Sequence, residues 1–181
     1  DRLRSEVVGD DVTYVVNRNI NYTNVCTFKC RFCGFSKGPL SLNLRGTPYL
    51  LTLDDIAERA AEGWARGATE VTLQGGIHPN FDGDYYLDVT RAVKEAVPEM
   101  HIHGFTALEV TEGAGRLGED LEKYLGRLVD AGLHELVAPL VLARRHWECQ
   151  GAPGRNHRVH ERERTALACH LRAPPLVVAL A

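Results

Sequence analysis

Three cysteines lie close together early in the chain, with the spacing Cys26-x-x-x-Cys30-x-x-Cys33. Three soft thiolates so close together are enough to hold three irons of a cubane iron–sulfur cluster. The fourth iron receives no ligand from this motif and is free to bind a small molecule, which favours catalysis over electron storage. A zinc site completed by Cys149, Cys169 or a histidine is the alternative.

Two later segments carry further candidate residues. Gln74-Gly75-Gly76-Ile77-His78-Pro79 follows a predicted strand, and its glycines lack the Cβ atoms that would keep a ligand away from the backbone. His78, His103 and Glu109 are candidates for substrate binding or proton transfer. The alternative for each is structural: a plain turn at the glycines, a buried histidine at His103 and a solvated carboxylate at Glu109.

Residue patterns predict the elements that must position these groups. Strands are expected over 19–25, 70–73 and 101–105, and amphipathic helices over 53–67, 85–97 and 117–132, the first with a Thr52/Asp55 capping box. Alternating strands and helices imply parallel pairing with right-handed crossovers, so the loops after the strands emerge at one edge, where barrel enzymes build their sites. We therefore expect the Cys loop, the Gln74–Pro79 loop and the segment after His103 to converge.

The three motifs, in this order, resemble the radical S-adenosylmethionine (SAM) superfamily. The Cys motif has an aromatic residue, Phe32, before its third cysteine. Together with it, the segments 12–26, 74–79 and 101–109 resemble the branch that contains the FO synthase subunits and the futalosine-processing enzymes of menaquinone synthesis. Within that branch, the stretch from Cys33 to Tyr49 is most similar to the subunit called CofH, and the resemblance covers about residues 10–133.

The resemblance implies a [4Fe-4S] cluster on Cys26, Cys30 and Cys33, with SAM chelating the open iron. It places Phe32 near the adenine, and Gln74, Gly75 and Gly76 near the methionine end of SAM. In the family, SAM is cleaved to a 5'-deoxyadenosyl radical that abstracts hydrogen from L-tyrosine. The released 4-hydroxybenzyl group joins 5-amino-6-(D-ribitylamino)uracil in the synthesis of FO, a deazaflavin coenzyme. A companion FO synthase subunit and a reductant protein are further expected partners.

Length limits the expected fold. A closed (β/α)8 barrel usually takes about 250 residues, whereas the chain has 181. We therefore expect an α/β fold, a partial radical SAM TIM-type barrel with the first three or so βα units, over residues 1–133. Residues 134–181 contain 7 Arg and no Lys, Asp, Ile or Tyr, which predicts an atypical tail that is disordered or frameshifted, or else a truncated homologue. Translation of the DNA in the other two frames tests the frameshift.

Composition argues against several other function classes without excluding them. The net charge of -3 gives no electrostatic reason to expect nucleic acid, and no apolar run approaches the roughly 20 residues of a membrane span. The start lacks the apolar core of a secretory signal, and the odd number of cysteines, 5, does not suggest a disulfide framework. We expect a cytoplasmic transferase. A futalosine-processing enzyme and an inactive cluster-binding or zinc-binding fragment are the alternatives.

Overall fold

Strands and helices alternate through most of the described chain. The structure is a computed structural model that describes residues 2–9, 11–28, 33 and 47–137. In chain order its elements are α1 (Arg2–Val8), β1 (Asn17–Asn21), α2 (Leu53–Ala65), β2 (Glu70–Gln74), α3 (Gly83–Ala96), β3 (His101–Thr106), α4 (Ala107–Leu117), α5 (Leu121–Asp130) and β4 (Glu135–Val137).

The strands form one sheet in the order β1-β2-β3-β4, and every neighbouring pair is parallel. Helices connect the strands, as parallel pairing requires. The carboxyl ends of the strands therefore lie at one edge, where Asn21 is paired with Gln74. The predicted α/β class and parallel topology are confirmed, and the sheet corresponds to part of a barrel.

The two faces of the sheet differ in chemistry. Ile20, Leu73 and Ile102 are fully buried on the face covered by helices, and they pack into one core with apolar residues of α2, α3 and α5. The opposite face carries the alternate residues, among them Asn17, Thr72 and His103, and is polar. The apolar face therefore supplies the cohesion of the fold, and the polar face remains for other roles.

The helices begin where short polar side chains cap them. Thr52 and Asp55 form the predicted capping box at α2, and Asp82 and Asp120 cap α3 and α5. Each cap satisfies backbone N–H groups that the first helical turn leaves without partners.

The described helices include none long and apolar enough to cross a membrane.

The helix expected over 117–132 is present as α5 over Leu121–Asp130, but it begins later than expected, because Leu117 belongs to α4. Leu117 is the last residue of α4, which ends at Gly118 in the left-handed conformation, with φ of 65°. Asp120 then starts α5. α4 is not among the predicted helices, and it follows β3 with no loop between them.

Two strand predictions also need correction. β1 covers Asn17–Asn21 and not 19–25, because the chain leaves the sheet at Tyr22, after which Thr23 forms an isolated antiparallel bridge with Leu50. β4 is not among the predicted strands. It pairs with β3 at His103↔Glu135 and Thr106↔Val137, with an irregularity between these pairs. The proposed domain division at residue 133 remains a prediction, and residues 138–181 lie outside the described residues.

Candidate functional site

The loops after β1 and β2 pack directly against each other. Gly76 N–H donates to the carbonyl of Thr23 over 2.9 Å, and Thr27 N–H donates to the carbonyl of Ile77 over 2.9 Å. Between these bonds, Ile77 N–H donates to Sγ of Cys26 over 3.3 Å. The predicted convergence of the Cys loop with the Gln74–Pro79 loop is therefore confirmed for the described part of the Cys loop.

Two glycines make this close packing possible. A Cβ atom on Gly75 would lie 2.4 Å from Cε2 of Tyr22, and one on Gly76 would lie 2.1 Å from the carbonyl oxygen of Val25. No side chain fits at such distances. In this structure the missing Cβ atoms let the protein's own β1 loop approach, and the expected approach of SAM to Gln74, Gly75 and Gly76 stays a prediction.

The described cysteines have the chemistry that a cluster needs. Cys26 is half-buried, Cys33 is exposed, and both thiols are free. Soft thiolates are the usual protein ligands of iron–sulfur clusters, so this donor set fits the expected group. Cys30 and Phe32, the other two expected ligand-binding residues of this loop, lie outside the described residues.

Glu109 joins the ends of three strands. Its Oε1 accepts from Gly75 N–H over 3.0 Å and from the hydroxyl of Tyr22. Its Oε2 accepts from the backbone N–H and the hydroxyl of Thr106, each over 2.7 Å. The side chain is 0% exposed, so the interpretation of Glu109 as a solvated carboxylate is wrong.

Burial and hydrogen bonding act in opposite directions on Glu109. Burial raises the pKa of its carboxyl above the usual range, and the hydrogen bonds from Tyr22, Thr106 and Gly75, which act to lower this pKa, offset only part of the effect. Burial and the neighbouring Glu109 carboxylate raise the pKa of Tyr22 well above its usual range. Tyr22 therefore stays a neutral donor toward Glu109. Sequence reasoning missed Tyr22 as a member of this site, although the pattern Thr106-x-x-Glu109 does signal a capping box.

His78 lies partly buried in the loop after β2, and its contacts are with other residues of this loop and with α4. Its Nδ1 accepts from Asn80 N–H over 3.2 Å, and its ring lies 4.5 Å from that of Phe81. Arg116 of α4 donates to the carbonyl of His78 over 2.7 Å, to that of Pro79 over 3.2 Å, and to that of Phe81. Burial and Arg116 lower the pKa of His78, so the neutral imidazole is favoured.

His103 belongs to a different group, on the polar face of the sheet. Its Nδ1 lies 3.7 Å from Oε1 of Glu70 and 3.9 Å from Oε2 of Glu135. Its Nε2 donates to the carbonyl of Leu136 over 3.1 Å, since a carbonyl oxygen can only accept. His101 lies between the same two carboxylates, 3.9 and 3.8 Å away. The contacts that the structure gives His103 are thus with β2 and β4, and not with the loops that join Cys26, Gly76 and Glu109.

Comparison with solved structures supports the barrel-type fold. The chain matches methylornithine synthase (PylB) with a TM-score of 0.52 at 20% sequence identity. The match covers 83% of this chain and 45% of that protein. At this identity the likeness concerns the fold alone.

Sequence relatives and a family model are more specific. The chain is 50% identical over 133 residues to FO synthase of Streptomyces coelicolor, covering 74% of this chain and 15% of that protein. It is 45% identical over 133 residues to 5-amino-6-(D-ribitylamino)uracil–L-tyrosine 4-hydroxyphenyl transferase of Methanopyrus kandleri, covering 35% of that protein. The Radical SAM superfamily model matches residues 20–141. Members of that superfamily use a [4Fe-4S] cluster and SAM, and the chain belongs to it.

Proposed function

We propose that this chain forms part of a radical SAM transferase of FO biosynthesis. The reaction is the transfer of the 4-hydroxybenzyl group of L-tyrosine to 5-amino-6-(D-ribitylamino)uracil. The observation that carries the proposal is the 45% identity over 133 residues to the Methanopyrus kandleri transferase, in a segment whose Cys26 loop packs onto Gly75-Gly76. Because the chain spans 35% of that relative and 15% of the FO synthases, the activity is proposed for the whole protein.

Among the residues that would hold the cofactors, Cys26 and the segment Gln74–Gly76 lie at the carboxyl edge of the sheet. Cys26, Cys30 and Cys33 would ligate a [4Fe-4S] cluster, with Phe32 and the segment Gln74–Gly76 near SAM. When bound, the cluster and SAM supply the one-electron chemistry that opens the reaction. The chain's own part is to hold the thiols in place and to keep water from the reacting groups.

The polar face of the sheet supports a polar substrate. His103 and its neighbours on this face present imidazole, carboxylate, amide and hydroxyl groups, and the side chains of His103 and Glu135 remain 30% and 32% exposed. A ribityl chain and a uracil ring offer many donors and acceptors to such groups. We assign His103 and His78 to substrate binding, His103 from this face and His78 from the loop after β2.

Partners and location follow from the chemistry proposed. One electron must reach the cluster, so a reductant protein is a required partner of the active enzyme, and the companion FO synthase subunit would use the product. A cluster built from thiolates needs a reducing compartment, and for that reason we place the protein in the cytoplasm.

Anaerobic reconstitution with iron and sulfide tests the proposal. We expect about four irons per chain, SAM cleavage under reducing conditions, and loss of both in C26S, C30S and C33S. C149S and C169S are the matched controls, because these cysteines lie outside the motif, and they should retain wild-type iron. One bound zinc without cluster formation would contradict the cluster.

Product analysis tests the substrate. L-tyrosine with 5-amino-6-(D-ribitylamino)uracil should give the coupled product, and futalosine-type substrates should give none. Turnover of a futalosine-type substrate would instead support the menaquinone enzyme. A loaded cluster that never yields 5'-deoxyadenosine would identify the chain as an inactive cluster-binding fragment.

A further inference from the structure

We propose that Glu109 is a positioning residue that holds the Gln74–Ile77 turn against the Cys26 loop. In this role Glu109 touches neither cofactor nor substrate. The role replaces the substrate binding that the sequence suggests. The inference rests on the proposed function in one respect, namely that the Cys26 loop binds the cluster. Its structural basis is independent of which substrate the enzyme uses.

A short series of contacts connects Glu109 to Cys26. The carboxylate accepts from Gly75 N–H over 3.0 Å. The next residue, Gly76, donates to the loop after β1, and Ile77 donates to Sγ of Cys26 over 3.3 Å. The turn therefore has Glu109 at one end and the Cys26 sulfur at the other, and a displacement at Gly75 moves the N–H that faces the sulfur.

Tyr22 closes the same arrangement from the β1 side. Its hydroxyl donates to Oε1 of Glu109, and its ring lies where a Cβ of Gly75 would fall, 2.4 Å from Cε2. Tyr22 is followed by the residues that lead to Cys26, so Glu109 fixes both loops through one oxygen. The aromatic rings of Phe105, Tyr85 and Tyr86 pack around Tyr22 and keep water out.

The hydrogen-bond pattern around Glu109 needs an acceptor oxygen at both positions of the side chain. Backbone N–H groups face both oxygens, Gly75 at Oε1 and Thr106 at Oε2, and a backbone N–H cannot accept. In E109Q the amide nitrogen must replace one of the two oxygens and face one of these donors. A substitution of nearly equal size therefore leaves a buried donor unsatisfied, which weakens the contact between the turn and its neighbours.

A second capping box in the chain separates this role from ordinary helix capping. Asp55 accepts from Thr52 N–H over 2.9 Å and from its hydroxyl over 2.8 Å at the start of α2, the same pattern that Glu109 forms with Thr106. Glu109 has two further partners, Gly75 and Tyr22, on the strand-end loops. D55N is therefore the matched control for E109Q.

Hydrogen exchange of the full chain without cofactors measures the proposed role directly. In E109Q we expect exchange of the segments 22–28 and 74–78 to rise about tenfold, because one buried donor loses its acceptor. Exchange in the core of α3, over 87–93, should stay at the wild-type value. D55N should leave all three segments unchanged.

Iron release supplies a second measurement on the reconstituted protein. E109Q should lose iron to a chelator several-fold faster than wild type and D55N, although all ligand cysteines are intact. Unchanged exchange at 74–78, or an equal rise in α3, overturns the proposal. If E109Q does not fold, Y22F decides, since it keeps the ring and removes one donor to Glu109, and it should raise exchange at 22–28 and 74–78. If no variant binds iron, the cluster assignment fails while the exchange result still tests the position of Glu109.

Discussion

Replacing Gly76 by alanine should destabilise the protein in the absence of any cofactor. The new Cβ would lie 2.1 Å from the carbonyl oxygen of Val25, 2.7 Å from its carbonyl carbon and 2.9 Å from Cβ of Cys26. Ordinary carbon contacts begin near 3.5 Å, and two of these atoms are backbone atoms that no rotamer change can remove. The two loops must therefore separate by about 1 Å or more.

The separation disrupts specific bonds, which sets the size of the effect. Two hydrogen bonds of 2.9 Å connect the two loops at this point, one from Gly76 N–H to the carbonyl of Thr23 and one from Thr27 N–H to the carbonyl of Ile77. Overpacking costs about 1–3 kcal/mol, and a buried donor left unsatisfied costs about as much again. We expect G76A to lower the free energy of unfolding by about 3 kcal/mol. For a chain of this size, about 3 kcal/mol lowers the Tm by roughly 6–12 °C.

Thermal and urea unfolding of the cofactor-free chain measure this change. G115A is the matched control, because Gly115 is an exposed residue of α4 and a Cβ there meets nothing within 4 Å. Alanine in a helix favours folding relative to glycine by about 0.5–1 kcal/mol, so G115A should be slightly more stable than wild type. If G76A unfolds at the wild-type temperature, the two loops do not pack as described. The space beside the Gly76 backbone would then serve a ligand and not the loop after β1.

Two further predictions concern the loop after β2 and the start of β4. R116A should lower the free energy of unfolding by about 1–3 kcal/mol, since Arg116 donates to three carbonyls of 78–81. The control R91A loses only an exposed pair with Asp88 and should change the free energy of unfolding by less than about 1 kcal/mol. Equal urea midpoints for the two variants would refute this prediction. Burial, with His101 and Lys94, lowers the pKa of His134 in the folded state. Its stabilising effect is therefore present above the unfolded pKa of about 6.5 and is lost as pH falls through the folded value. The urea midpoint should decrease from pH 7 to pH 5, less steeply in H134N, whose side-chain oxygen can replace Nδ1 as acceptor for Ile102 N–H; equal slopes would contradict the assignment.

Much of the architecture was predictable because it depends on local pattern and general topology. Apolar residues at helical spacing, with Thr52 and Asp55 at the start, predict α2, and strand–helix alternation predicts parallel pairing. Parallel pairing alone then brings the ends of β1 and β2 to one edge. The meeting of the Cys26 loop with Gly75-Gly76 thus follows from the order of elements.

The remainder depends on contacts between residues far apart in sequence. β4 is a strand because His103 and Thr106 offer it partners, and its own three residues carry little signal. The sequence alone is compatible with a solvated Glu109, since no local pattern shows that Tyr22 and Gly75 will donate hydrogen bonds to it. Gly118 separates α4 from α5 within a stretch whose leucines continue at helical spacing.

The structure separates the tasks of stability and chemistry between the two faces and one edge of the sheet. Ile20, Leu73 and Ile102 bury the apolar face, so that cohesion does not depend on the residues that face the other way. The carboxyl edge is different, because there Glu109 is a buried carboxylate held by neutral donors, an arrangement that costs stability unless every bond is made. Such a group adds little net stability to a fold, but its hydrogen bonds fix the relative position of two loops. At the edge that carries the Cys26 thiol, the described chain therefore contains interactions that position the loops at a cost in stability.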